Sequence, residues 1–250
     1  MSMVFLYTWL LVFLRAVGVV MFLPQMANRS APIMVRFGLA TCLATLLAGV
    51  VPQAVMPTDY AGLILASAAE IAVGLALGFV GQMAFRAIEL AGRIISSEVG
   101  LSAAPGMNAP ELSSEPVAAF LSAFAIVLFF QFSGHLAVLG AFARSFELAP
   151  PGAARLNPGA GEMVIVATSR VIELGLRMAA PFIALNFLIN LAFSVLGRAV
   201  PRMHVFIMSG TVRGLAGLAL FSGAGTLVAR YLFSEYADIP LKLLQLMPAR

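Results

Sequence analysis

Charge is scarce in this sequence. Asp, Glu, Lys and Arg make up 10% of its 250 residues and hydrophobic residues 61%. An ordinary soluble domain carries about 25% charged and about 45–50% apolar residues. Too few polar residues remain to cover a water-facing surface, so the surface must meet lipid or other apolar protein. Lysine is nearly absent: Lys242 is the only one, and the net charge is a modest +4. The arginines are scattered, so no basic stripe marks a nucleic-acid site. Cys42 is the single cysteine. An internal disulfide is excluded, and a small packing residue is the simplest reading. Histidine occurs only as His135 and His204. With no metal-ligand spacing, phosphate loop or nucleophile elbow either, nothing points to catalysis, a metal or a cofactor.

Long apolar runs are plentiful. A spanning helix needs roughly 20 apolar residues. Six segments qualify: Met3 to Gln25, Phe37 to Met56, Ala61 to Phe85, Pro116 to Ala143, Val164 to Leu196 and Val205 to Ala229. The runs are too long for strands, and a membrane barrel would alternate polarity. The chain therefore reads as an all-α, multi-helix integral membrane protein with about six long hydrophobic helices and one domain over residues 1–250. No basic region precedes the first apolar run, because Arg15 follows Met1 to Leu14. That run reads as a retained helix rather than a signal peptide. Pro181 is expected to kink the overlong Val164 segment. With six spans, Arg29, Arg36, Arg86, Arg93, Arg198 and Arg202 fall on one side. Arg144, Arg155, Arg230, Lys242 and Arg250 fall on the other. The two sets are nearly equal, so the positive-inside rule assigns no orientation.

The few charges inside these runs are candidate functional residues. Arg86, Glu89 and Arg93 recur at i, i+3 and i+7, which puts them on one helix face within pairing distance. Arg170, Glu173 and Arg177 repeat the spacing. Either an internal duplication or a common way of carrying charge on a helix accounts for the repeat. Glu70 stands alone among apolar residues. It is either the partner of an arginine on another helix or subunit, or an ion ligand in a small-solute secondary transporter. Gly74, Gly78 and Gly81, and Gly214 with Gly217, form small-residue faces that favour close helix contact. Two stretches read as connections: 100–115, with Gly100, Pro105, Gly106 and Pro110, and 148–161, with Pro150, Pro151, Gly152, Pro158, Gly159 and Gly161.

Several short motifs occur in a characteristic order. Arg15 and Pro24 precede Arg36-Phe-Gly-Leu-Ala40. Glu70 and Gly74-Leu-Ala-Leu-Gly78-Phe lead through Ala91-Gly92-Arg93 to Gly100-Leu101-Ser102. Phe132-Ser-Gly134-His135-Leu136 precedes Ser145-Phe146, and Leu196-Gly197-Arg198-Ala-Val-Pro201 precedes Phe206. In this order the chain resembles the FliR family of type III export-gate proteins over nearly its whole length. It departs from the family pattern at Asn108-Ala109, Arg202, His204, Ser209 and Thr211.

The resemblance implies a gate subunit in the bacterial inner membrane at the flagellar basal body, or its injectisome counterpart. It implies FliP- and FliQ-type partners in a hetero-oligomeric channel, adjoining FlhA- and FlhB-type proteins, through which unfolded flagellar subunits pass. It also implies a channel plug over Gly100, Leu101, Ser102, Pro105, Gly106, Met107, Asn108, Pro110 and Pro116. Helix-packing or partner roles fall to Glu70, Gly74, Gly78, Arg86, Glu89, Arg93, Gly134, His135, Arg198, Pro201 and Phe206.

Overall fold

A computed structural model describes residues 3–22, 32–101, 115–199 and 205–248, with 205–207 described by backbone alone. Each apolar run is helical over most of its described residues. In chain order the described residues form α1 (Met3–Phe22), α2 (Ile33–Ala48), α3 (Tyr60–Val99), α4 (Pro116–Gln131), α5 (Gly134–Leu148), α6 (Ala160–Ala199) and α7 (Val205–Gln245). No strand occurs among them.

The number of spanning helices differs from the six apolar runs, for local reasons. Among the described residues four helices (α1, α3, α6 and α7) are long and apolar enough to cross a membrane, or five spans if α4 and α5 count as one broken span. The Phe37 to Met56 run stops early: α2 ends at Ala48, before Gly49 and Pro52, after 16 residues. The Pro116 to Ala143 run breaks where Ser133 takes a left-handed φ of 56°. There Gly134 packs so tightly against Phe129 that no side chain would fit. The Ala61 to Phe85 run does not end its helix: α3 continues through Arg86, Glu89 and Arg93 to Val99 and reaches 40 residues. Helix α6 is equally long and runs through Pro181. At 1.5 Å per residue each of these helices is about 60 Å long, twice the hydrocarbon core of about 30 Å.

Residues pack as two compact units, one of 1–83, 129–168 and 236–250, the other of 84–128 and 169–235. In the first, α1 lies on α2 along the alanine stripe Ala40, Ala44 and Ala48. Thr8 Oγ accepts the Ala54 N–H at 2.9 Å, which ties the chain after α2 back to α1. The α1–α3 crossing is closer still. A Cβ on Gly18 would lie 2.6 Å from the Gly74 backbone, and one on Gly74 would lie 2.4 Å from Arg15 O. Backbones this close need glycine on both sides. Gly74→Leu is therefore expected to force the helices apart and lower stability by about 1–3 kcal/mol or more. Thermal unfolding in detergent checks this against Gly38→Ala, where the new Cβ meets nothing within 4 Å.

In the second unit α3 and α6 run side by side in the same direction, with Gly175 against Leu90 and, further along, Asn186 on Glu98. Helices α6 and α7 are antiparallel, joined by Arg170–Glu235 and Asn190–Arg213. Gly217 receives the Val99 side chain, and Gly92 lies against the Ala118 backbone.

Candidate functional site

The polar centre of the first unit is a buried ion pair. Arg15 on α1 and Glu70 on α3 are both 0% exposed, with Nε 2.6 Å from Oε2. Burying a lone charge among apolar helices costs several kcal/mol, so every remaining hydrogen-bonding group must find a partner. Arg15 Nη1 donates to Ser145 Oγ at 3.0 Å, and Nη2 donates to Ala149 O at 2.9 Å. The guanidinium also lies 4.1 Å from the Phe146 ring centroid. The second carboxylate oxygen of Glu70 accepts the Gly152 N–H at 3.0 Å. Gly152 has φ +84°, a left-handed conformation that glycine adopts without a Cβ penalty. The node thus joins α1, α3, the end of α5 and the 149–152 turn. Both Glu70 oxygens are spent inside the chain. Of the two readings of Glu70, the structure gives the partner of an arginine on another helix.

The second unit carries its charges differently. Arg86 and Arg93 both bond Glu89, at 2.9 and 2.8 Å, and Arg93 also reaches Glu115 at 3.4 Å. Arg170 and Arg177 both bond Glu173, at 2.9 and 2.6 Å. Arg170 also meets Glu235, a nearly buried carboxylate, at 3.1 Å. The i, i+3, i+7 spacing pairs on one face in both helices, as expected. A third polar line starts at the end of α3, past both ladders: Asn186 donates to Glu98, Asn190 donates to Asn186 at 3.1 Å, and Arg213 donates to Asn190 at 2.7 Å.

The remaining site residues fall in several places. Gly74 and Gly78 pack on α1. Gly134 opens α5, and His135 lies 5.0 Å from the Phe130 ring. Arg198 is exposed in the last turn of α6. Phe206 is in α7, and its side chain lies outside the described residues, as does Pro201. Of the expected plug, Gly100, Leu101 and Pro116 are described, whereas Ser102, Pro105, Gly106, Met107, Asn108 and Pro110 lie outside. Gly100, at φ +77°, ends α3. Its N–H reaches Ser97 O at 3.2 Å, and the Leu101 N–H reaches Ser96 O at 2.9 Å. These two bonds form a Schellman stop. Arg15 lacked a partner in the sequence reading, and Ser145, Gly152, Glu98, Asn186, Asn190 and Arg213 were missed as polar partners. The available signal was that Arg15 and Glu70 are lone opposite charges in separate apolar runs.

These features define a helical membrane protein in which Arg15–Glu70 and Arg170–Glu235 join one helix to another, while the remaining ladder pairs lie along single helices. Residues 6–237 match the family model for bacterial export proteins, family 1, and the chain belongs to that family. It is 30% identical over 247 residues to the flagellar biosynthetic protein FliR of Escherichia coli, covering 97% of this chain and 94% of the relative. It is 28% identical to FliR of Caulobacter vibrioides, covering 93% and 94%. Yop proteins translocation protein T of Yersinia pestis is 27% identical over 224 residues, covering 86% and 85%.

Proposed function

We infer that this chain is the FliR-type subunit of a flagellar type III protein export gate. The observation that carries the reading is the family match across 6–237, in a chain whose described residues include four or five apolar spans long enough to cross a membrane. It would sit in the bacterial inner membrane at the flagellar basal body. Its partners would be FliP- and FliQ-type subunits in a closed channel, with FlhA- and FlhB-type proteins adjoining. Unfolded rod, hook and filament subunits would be the cargo. The likeness to the Yop translocation protein keeps injectisome use as the second reading.

The segment 100–116 would serve as the channel plug. Its support is the anchoring of both ends on α3. Gly100 and Leu101 are fixed by the Schellman stop, and Glu115 lies on Arg93 beside the Gly92–Ala118 contact. Irregular backbone at membrane depth is tolerated where it is buried in protein or lines a cavity. The test is co-expression with FliP- and FliQ-type partners and native mass analysis in mild detergent. One stable complex with a single copy of this chain is expected. A chain that stays alone with both partners present overturns the reading.

A further inference from the structure

Between Glu173 and Glu235 the sequence holds no acidic residue, while Arg177, Arg198, Arg202, Arg213 and Arg230 fall in that interval. The interval builds most of α6 and α7 and the turn that joins them. Arg213 is the only charge in the apolar run Val205 to Ala229. A cation there is costly unless an anion meets it. Arg15, Arg86, Arg93, Arg170 and Arg177 each have a carboxylate. Arg213 meets none among the described residues. Its Nη2 donates to the neutral Asn190 Oδ1 at 2.7 Å, its Nε is buried with no hydrogen-bond partner, and its Nη1 is unpaired and not buried. Glu98, the acid of the polar line, stands two amides away, beyond Asn190 and Asn186.

Asn190 adds a neutral donor beside this cation. It is exposed, and its NH2 group gives one hydrogen to Asn186 and keeps the other. The open end of the guanidinium and this amide lie together on the α6–α7 pair, and both donate. An acceptor-rich anion satisfies that set. The surroundings say what carries the anion. Phe187, Leu188, Leu191, Val195 and Leu196 are exposed on α6, spread over about half its circumference at 100° per residue. Leu215 continues the apolar surface on α7. A single partner helix needs a stripe of about 100°, whereas fluid acyl chains cover a surface of any width. An anion joined to apolar chains is a phospholipid.

We propose that Arg213 and Asn190 bind the phosphate group of an anionic phospholipid whose acyl chains lie along the exposed apolar residues beside them. The phosphate oxygens accept from Arg213 Nη1 and Nη2 as a bidentate pair and from the free N–H of Asn190. Arg198 is exposed about 12 Å further along α6 toward the turn. It adds a second positive charge without a neighbouring acid in the hairpin, which favours a headgroup of net negative charge.

The test is native mass analysis of the full chain in mild detergent, titrated with phosphatidylglycerol, phosphatidylcholine or inorganic phosphate. Phosphatidylglycerol should bind more tightly than phosphatidylcholine, and inorganic phosphate should not displace it. Arg213→Gln should weaken phosphatidylglycerol binding about tenfold to a hundredfold, the range of a hydrogen bond to a charged group. Arg213→Lys keeps the charge without the fork and should lose less. Arg86→Gln, at an arginine already paired with Glu89, should leave binding as it is. Equal binding of the two lipids overturns the proposal, as does displacement by inorganic phosphate or an Arg213→Gln chain that binds like the parent. The same titration on the complex co-expressed with FliP- and FliQ-type partners separates a lipid from a neighbour's carboxylate. Phosphatidylglycerol retained there through Arg213 supports the lipid, and its loss on assembly overturns it. Failure to form any complex would count against the gate reading alone, because lipid binding is read on the isolated chain.

Discussion

Glu70→Leu is expected to destabilise the chain by about 3–5 kcal/mol, because it leaves the Arg15 guanidinium buried without its counter-charge. Arg15→Leu should cost a similar amount for the converse reason. The double variant should not recover full stability, although replacing both members of a buried pair is often neutral. Here the pair also satisfies the Ala149 carbonyl and the Gly152 N–H, and each orphaned buried group costs about 1–3 kcal/mol. The double variant should therefore lose less than the sum of the singles and more than nothing. Glu70→Gln should be damaging as well. One amide oxygen can accept from Gly152 or from Arg15, but the NH2 then faces the other donor. Thermal unfolding of the purified chain in detergent measures all four. A Glu70→Gln chain as stable as the parent would remove the structural role and revive the solute-site reading of Glu70. Glu89→Gln is the comparison: its ion pairs lie on the outer face of α3 rather than in a packed interior, so it should lose less than Glu70→Gln.

The sequence disclosed the fold unevenly. Helix type and rough position were legible for every run, because apolar stretches of this length have few alternatives. Helix ends were not, wherever the stop depended on a tertiary fit. Nothing local required α3 to continue past Arg86 to Val99, since helical periodicity is the same in a span and in a surface helix. Nothing local required the break at Ser133 either, where the tight Gly134–Phe129 contact accompanies a left-handed residue. The Arg–Glu–Arg ladders were legible because pairing at i, i+3 and i+7 is a property of one helix. The Arg15–Glu70 node was half legible: Glu70, alone among apolar residues, pointed to some arginine on another helix or subunit, but nothing singled out Arg15, and the 149–152 turn that completes the node lies about 80 residues beyond Glu70. Long-range hydrogen bonds to backbone carry no residue-type signal. The same holds for the Asn186–Asn190–Arg213 line, whose members look like ordinary polar interruptions of an apolar helix.

Deleting Ala104 to Asn108 is expected to make the assembled channel leak ions while the subunit still folds and assembles. The argument lies in the two ends of the segment rather than in the residues removed. On the α3 side the chain is held by the Schellman bonds at Gly100 and Leu101, by Val99 against Gly217 and by Glu98 on Asn186. On the α4 side it is held by Glu115 on Arg93 and by Ala118 against Gly92. Both attachments fall on α3, from Gly92 to Gly100, so the segment leaves and returns to one short stretch of helix. A deletion of five residues touches neither of these anchors. Stability should therefore be near that of the parent, and any change should appear in the barrier alone. Ion flux across membranes holding the complete complex is the measurement, with the amount of assembled complex checked in parallel. Increased flux at an unchanged amount of complex supports the plug. A membrane as tight as before, at the same amount of complex, removes the plug role from 100–116 and leaves the segment as a loop joining α3 to α4.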